Sequence, residues 1–511
     1  MLFNSYQFLV VFLPVVLIGY FALGRWNIGF AAAWLTFASL AFYAYWDASY
    51  IPLLLGSIIF NYWAGTGIAK TLPMSRWRAK CILIIAVSAD IVLLGYYKYA
   101  DFFIGNAGRL SGTELELLNV VLPLGISFFT FTQIAYLADA YAGKVRDTRF
   151  VHYALFVTYF PHLIAGPILH HGEMIRQFDD PESYRPRREN FEVGLSIFAI
   201  GLAKKVLIAD TLAPFAGSVF SHPGEVTLLS AWAGVLAYAF QLYFDFSGYC
   251  DMAIGLSRLF GIQLPINFNS PYKSASIIEF WRRWHITLSR FLRDYLYIPL
   301  GGNSKGVPRR YANLLATMLI GGFWHGAGWT FVIWGALHGL YLVINHGWRA
   351  LKEHMGLPSF GRWGHGLGVT ITFLAVCFSW VYFRAPDLAT ATSIVGAMLG
   401  QRGVALPEAI GALLGPAARP WLEGLGVEFQ LGGGRSFVLS WLSIVGAGLI
   451  AFASPNTQQI LGHYRPGLGV VSLSARWPWR PTVAWGVGLG LLLAAGLLAL
   501  TRPSEFLYFQ F

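Results

Sequence analysis

The sequence is poor in charge. Asp, Glu, Lys and Arg make up 12% of its 511 residues, about half the ~25% usual in soluble proteins. Length alone would suggest about three soluble domains, but so few charges cannot coat them with a soluble surface. Cysteine is scarce too. Cys81, Cys250 and Cys377 lie far apart with no CxxC spacing, which argues against a disulfide framework and a zinc site. The first ten residues, MLFNSYQFLV, lack a basic region, and no small-residue cleavage site follows the apolar run. The stretch 7–24 therefore reads as a retained first membrane helix and not as a cleaved leader. No GxSxG elbow, P-loop or HExxH is present, so the chemistries those motifs encode have no local signature. The absence of a convincing internal repeat weakens a transporter built on inverted repeats.

What is abundant is apolar surface: 56% of the chain counting tyrosine, with 56 glycines besides. The expected fold class is an all-α polytopic membrane protein. Candidate spans fall near 7–24, 29–46, 51–67, 81–98, 119–140, 150–169, 192–217, 228–248, 312–327, 329–347, 365–383, 436–452 and 482–501, so 11 to 14 membrane helices are expected. Arg25 follows the first span and Lys70, Arg76, Arg78 and Lys80 follow the third, whereas the turn after the second carries only Asp47. The positive-inside rule then puts the N-terminus outside the cytoplasm. The net charge of +11 reads as Lys/Arg in cytoplasmic loops facing lipid. Nucleic acid is not an expected partner, because the aromatics lie within apolar spans.

Two stretches depart from this pattern. Residues 401–435 are rich in Gly and Pro and read as a loop with short helices. Residues 249–311 are polar. Lys273, Arg282, Arg283, Arg290, Arg293, Lys305, Arg309 and Arg310 are opposed there only by Glu279 and Asp294, which predicts a cytoplasmic region. Within it, 277–298 reads as one amphipathic helix ended by Pro299, Gly301 and Gly302. Ile277, Phe280, Trp281, Trp284, Leu288 and Phe291 fill one arc, and Glu279, Arg282, Arg283, Arg290, Arg293 and Asp294 the other. His285 falls at the edge of the apolar arc, with Ser289 a turn further on. It is either a core histidine with one hydrogen bond or a polar group facing a cavity. The basic arc either meets lipid headgroups or binds a phosphate-bearing donor.

The second site is GGFWHGAGW, residues 321–329. His325 stands beside Trp324 in an apolar run, where an ionisable side chain is costly and faces the protein interior or a watered cavity. Gly321, Gly322, Gly326 and Gly328 let helices or a substrate approach closely. A packing seam and a catalytic base both fit, since neutral imidazole suits proton abstraction near neutral pH. His338 reads as structural. Asp139, Asp245 and Asp251 read either as orienting a histidine or as capping helices. His170, His171 and Glu173 resemble a fragment of a metal site, but adjacent histidines diverge on a helix, so no metal is expected.

Taken together, these motifs resemble the membrane-bound O-acyltransferase (MBOAT) superfamily, and within it the membrane subunits of bacterial alginate O-acetyltransferases. The resemblance is carried by FDFSGYCDMAIGLSRLFGIQLPINFNSPYKSASIIEFWRRWHITLSRFLRDYLYIPLGGN (244–303) and GGFWHGAGWTFVIWGALHGLYL. LPLGISFFTFTQIAYLADAY (122–141), YFPHLIAGPI (159–168), FSWVYFRA (378–385) and the C-terminal FLYFQF support it. It implies one membrane-embedded domain over 1–511, with a central motif region at 244–340 and helices around a central tunnel. By motif match, His325 corresponds to the superfamily's essential histidine and His285, in RWH, to its second polar site residue. Arg282, Arg283, Trp284, Ser289, Arg293 and Trp324 are the implied donor-binding or tunnel-lining residues. The implied reaction moves acetyl from cytoplasmic acetyl-CoA, with no bound cofactor, to hydroxyls of an exported alginate-like polysaccharide. An extracytoplasmic acetyltransferase partner and the export machinery would take part, at a bacterial inner membrane. D-alanyl transfer from a carrier protein to teichoic acid, and a non-catalytic polysaccharide transporter or scaffold, remain the alternatives. His162 departs from the family pattern, which has a different polar residue there.

Overall fold

Polar caps mark where apolar runs become helices. Asn27 Oδ1 accepts from the Gly29 amide at 2.7 Å and opens the helix Ile28–Ala44. Asp47 accepts from Ser49 at 2.9 Å just ahead of Ile51–Thr71, and Ser75 accepts from Arg78 at 3.3 Å ahead of Arg76–Leu94. Each cap oxygen satisfies an amide that a helix start leaves open. The structure, a computed structural model, describes residues 1–145, 149–358, 361–414, 418–469, 477–501 and 507. The C-terminal FLYFQF therefore lies outside the described residues except for Leu507.

Among the described residues the architecture is helical, apart from a short parallel ribbon of Val404–Pro407 on Val427–Gln430 and one isolated bridge. The ribbon lies in the Gly/Pro-rich stretch 401–435, where short helices were expected and strands were not. Among the described residues five helices are long and apolar enough to cross a membrane: Gln7–Gly24, Ala48–Thr71, Arg76–Ser111, Gly361–Arg384 and Gly434–Ala453. Ile28–Ala44, Leu388–Met398 and Val483–Ala499 are shorter and equally apolar. Their outer faces carry exposed Val10, Ile18, Ile85, Val92, Leu442 and Leu491, side chains suited to lipid and not to water. Leu388–Met398 was not among the expected spans. The expected span 150–169 is instead two short pieces, Phe150–Thr158 and Phe160–Leu163, broken at Tyr159.

The interior is organised by Leu228–Leu259, a helix of 32 residues and so about 48 Å long. It is buried over most of that length. A glycine seam joins it to Arg188–Ala203. A Cβ added at Gly201 would meet the Gly248 carbonyl oxygen at 2.7 Å, and one at Gly194 would meet that of Gly255 at 2.8 Å. The two pairs recur seven residues apart, so the backbones touch twice along one face.

The helix expected over 277–298 is not continuous. Ile277–Trp281 stops, His285 takes a left-handed conformation (φ 43°, ψ 53°), and Ile286–Leu292 begins again after it. A tertiary segment takes the bonds a continuous helix would make. The Ile286 amide donates to the Asn267 carbonyl at 3.0 Å, and the Arg283 carbonyl accepts from the Asn269 amide at 2.9 Å. The division into faces survives the break: Phe280, Trp281, Trp284, Leu288 and Phe291 are buried, while Arg282 and Arg293 are exposed.

Candidate active site

His325 is the last residue of the helix Gly306–His325, and the chain leaves it through Gly326 in extended backbone. Gly322 permits the return helix Trp329–His354 to lie close. A Cβ there would meet Gly335 Cα at 2.9 Å. The glycines around His325 therefore do form a packing seam, and the histidine sits at its end. Its ring is buried among Trp324, Trp334 and Phe383, with centroids 4.8, 5.1 and 5.1 Å away.

His285 meets it there. The two imidazoles come from segments forty residues apart and lie 6.5 Å apart, centroid to centroid, both buried. Asn267 holds His285 in place. Its Oδ1 accepts from the Thr287 amide at 3.1 Å and the Thr287 hydroxyl at 2.9 Å, and it lies 3.2 Å from His285 Nδ1. An atom that accepts from a backbone amide is the oxygen, so in the Nδ1 contact the imidazole is the donor. In the neutral ring this leaves the lone pair on Nε2. Thr287 Oγ1 in turn accepts from the Ile168 amide at 2.9 Å, which ties the site to the 159–168 motif.

A cavity of about 120 Å³ is lined by His325 together with Trp46, Lys98, residues 122–128, Ile164 and Trp324. It lies at the end of the molecule that holds the Asp47 turn, where the Tyr50 hydroxyl donates to the Val121 carbonyl at 2.9 Å. The helix Ile126–Tyr141 runs away from it. Ser127 lines the cavity, while Asp139, about 18 Å further along the axis, accepts from the Tyr295 hydroxyl at 3.0 Å. The basic segment thus sits at the opposite end from the cavity mouth. A column of rings connects the two ends: Tyr295, Phe291, Phe131 and Trp324, with successive centroids 5.0, 4.4 and 5.0 Å apart, ending at His325.

The predicted residues divide accordingly. His325 and Trp324 line the cavity, and His285 stands behind it. Trp284 packs in the core against Phe268 and Trp380, and Ser289 lies 3.5 Å from the Trp284 carbonyl. Arg282, Arg283 and Arg293 are not brought to the cavity. Arg283 pairs with Glu279 and Arg293 with Asp294, each at 2.7 Å, on the basic face. Beside them Lys273 donates to the Ser454 carbonyl at 2.6 Å, and burial together with Arg283 holds its ammonium below the usual lysine range. His338 lies 2.9 Å from the Ser379 hydroxyl. Asp245 and Asp251 pair with Lys205 and Lys204 and, among the described residues, with no histidine, and Asp245 also accepts from the Leu507 amide at 3.2 Å. Asp139 pairs with Lys144 and shares the Tyr295 hydroxyl with His170. Glu173 turns to Arg290 in a two-pronged pair at 2.8 and 2.9 Å. Among the described residues no cluster could hold a metal ion. Asn267, Lys98 and Phe383 were not singled out in the sequence; only Lys98 carried a signal there, as a lone cation in an apolar run.

The membrane-bound O-acyltransferase family model matches residues 53–384, which includes both histidines and the ring column. The chain belongs to the membrane-bound O-acyltransferase family. It is a multi-pass membrane O-acyltransferase. It is 47% identical to the peptidoglycan O-acetyltransferase of Helicobacter pylori, a match that covers 80% of this chain and 81% of that one. It is 38% identical to the probable alginate O-acetylase AlgI of Pseudomonas putida over the whole of both chains. A teichoic acid D-alanyltransferase of Streptococcus thermophilus is 31% identical over 54% of this chain and 70% of its own. The MBOAT resemblance read from the motifs is thereby upheld.

Proposed function

We propose that this O-acyltransferase moves an acetyl group from acetyl-CoA to a hydroxyl of an exported, alginate-like polysaccharide or an intermediary partner, with His325 as the general base. One observation carries the reading: a buried histidine pair stands between a cavity at one end of the molecule and a basic face at the other. The donor's phosphates would meet Arg282, Arg283 and Arg293, and the acceptor would enter by the cavity. His325 would take the hydroxyl proton as oxygen attacks the thioester carbonyl, with His285 orienting or polarising. Relatives named for acetyl transfer at 47% and 38% identity support acetyl as the group carried. Their names differ in acceptor, so an alginate-like polymer is proposed on the full-length match, with peptidoglycan the competing acceptor. The bacterial sources of its relatives support an inner membrane, and the positive-inside pattern supports an N-terminus and cavity on the extracytoplasmic side, where a partner transferase would receive the acetyl group. The whole chain is proposed to act as one membrane-embedded unit.

The deciding experiment follows labelled acetyl-CoA with the full chain in detergent, wild type against His325→Ala, with binding measured separately. Turnover lost while binding survives is the expected result. Retained turnover in His325→Ala overturns the assignment of the base. The partial match to a D-alanyltransferase makes a carrier-protein donor the second reading. It predicts no acetyl-CoA binding by either form. A non-catalytic transporter or scaffold would show neither turnover nor any dependence of acylation on His325.

A further inference from the structure

Lys98 is a cation that the proposed mechanism does not use. It stands on the π-helical turn Gly95–Tyr99, within the run Arg76–Ser111. Such turns insert one residue into a helix and recur at functional sites. Here the turn aims two successive polar groups at the end of the helix that carries His325. The Tyr99 hydroxyl donates to the Phe323 carbonyl at 3.0 Å, and Lys98 Nζ donates to the carbonyls of Trp324 and His325 at 2.7 and 3.1 Å. A third contact, 3.3 Å, reaches the Ser127 hydroxyl, and Lys98, Ser127, Trp324 and His325 line the same cavity.

The resident partners of Lys98 are all neutral. Among the described residues no carboxylate lies within ion-pair distance of it, whereas Lys204 has Asp251 at 2.6 Å and Lys205 has Asp210 and Asp245 at 2.7 Å each. An ammonium at membrane depth is costly and is retained for a function or a partner. Capping the helix end needs only a neutral donor, as Tyr99 illustrates. Beyond the Trp324 ring, whose centroid lies 5.9 Å from Nζ, no resident group among the described residues answers the charge, which leaves it for one that arises in the cavity.

We infer that Lys98 is a further catalytic residue, which stabilises the oxyanion formed when the acyl group is transferred at His325. The inference rests on the reading of His325 as the base. In the step, the acceptor hydroxyl gives its proton to His325 as its oxygen bonds to the thioester carbonyl carbon. The carbonyl π pair moves onto oxygen, and that oxyanion accepts from Lys98 in exchange for the long contact to Ser127. Collapse re-forms the carbonyl and breaks the C–S bond, and the thiolate takes the proton back from the imidazolium.

The test places Lys98→Gln, Lys98→Met and His325→Ala in the native host and measures base-labile acetate and D-alanine on envelope polymers. Folded protein is quantified by size exclusion in detergent, and melting is followed on the purified chain. Lys98→Gln can still cap the carbonyls but carries no charge. It is expected to melt near wild type and to lose ester by about 10²–10³-fold, the cost of removing an oxyanion donor. Lys98→Met should lose at least as much. Ester within about threefold of wild type in either folded Lys98 variant, against the 10²-fold or more expected, overturns the inference and leaves Lys98 a helix cap. If His325→Ala keeps its ester, the reading beneath it fails instead, whatever the Lys98 variants do.

Discussion

Asn267 offers the sharpest test of how His285 is held. Asn267→Ala removes one oxygen that faces three donors: His285 Nδ1, the Thr287 amide and the Thr287 hydroxyl. The hydroxyl can rotate to another acceptor. The other two donors are left in a buried site, and each unmet donor costs about 1–3 kcal/mol. The expected destabilisation is therefore about 2–6 kcal/mol, with no compensation from the small cavity left behind. The left-handed backbone at His285 adds to the sensitivity, because a non-glycine residue at φ 43° persists only while its surroundings hold it. With the imidazole released from its acceptor, a displacement of about 1 Å would lower transfer by about 10²-fold. The assay is a double-mutant cycle on acyl transfer in detergent: Asn267→Ala, His285→Ala and both together, at a temperature where all three are folded. Asn267 acts through His285, so the double variant should transfer no more slowly than His285→Ala alone. Equal factors for Asn267→Ala in the wild-type and His285→Ala backgrounds would refute the reasoning, because Asn267 would then be acting on something else.

The remaining predictions concern charge and packing. Lys205→Met leaves the buried carboxylates of Asp210 and Asp245 without their shared cation and should cost about 3–5 kcal/mol of stability, read as the detergent melting temperature. Arg282→Ala with Arg293→Ala should raise the KM for acetyl-CoA, most at low salt, and leave kcat unchanged, since both guanidinia are solvent-accessible and neither lines the cavity. An unchanged KM at every salt concentration would remove the donor's phosphates from that face. Gly201→Val puts a branched side chain where even a Cβ meets backbone at 2.7 Å. It should fail to give a monodisperse peak in detergent, whereas Gly217→Ala, with open space at its Cβ, should behave as wild type.

Much of the fold was legible because hydropathy and caps act locally. The runs 7–24, 51–67, 365–383 and 436–452 became helices near the expected bounds, since lipid forces each backbone to satisfy itself within its own segment. The interior was harder to read. Over 277–298 the periodicity correctly sorted buried from exposed side chains, yet the continuous helix was wrong. Period counts which side chains share a face, but cannot register that Asn267 and Asn269 compete for the same backbone groups. The stretch 150–169 looked like a span for a related reason, being apolar enough to cross a membrane while its burial comes from protein.

The chemistry divides along the same line. Sequence by itself determined that the chain is a helical membrane protein, that a basic segment interrupts it, and that His285 and His325 are among the histidines set in apolar neighbours. Those conclusions rest on transfer energies and charge, which belong to each residue and its near neighbours. Only tertiary structure decided that the two imidazoles meet at 6.5 Å, that Asn267 sets the tautomer of one, and that Lys98 from a distant helix reaches the carbonyl of the other. Each of these joins segments remote in the chain, and hydrogen bonds between such segments leave no periodic trace in the sequence that makes them.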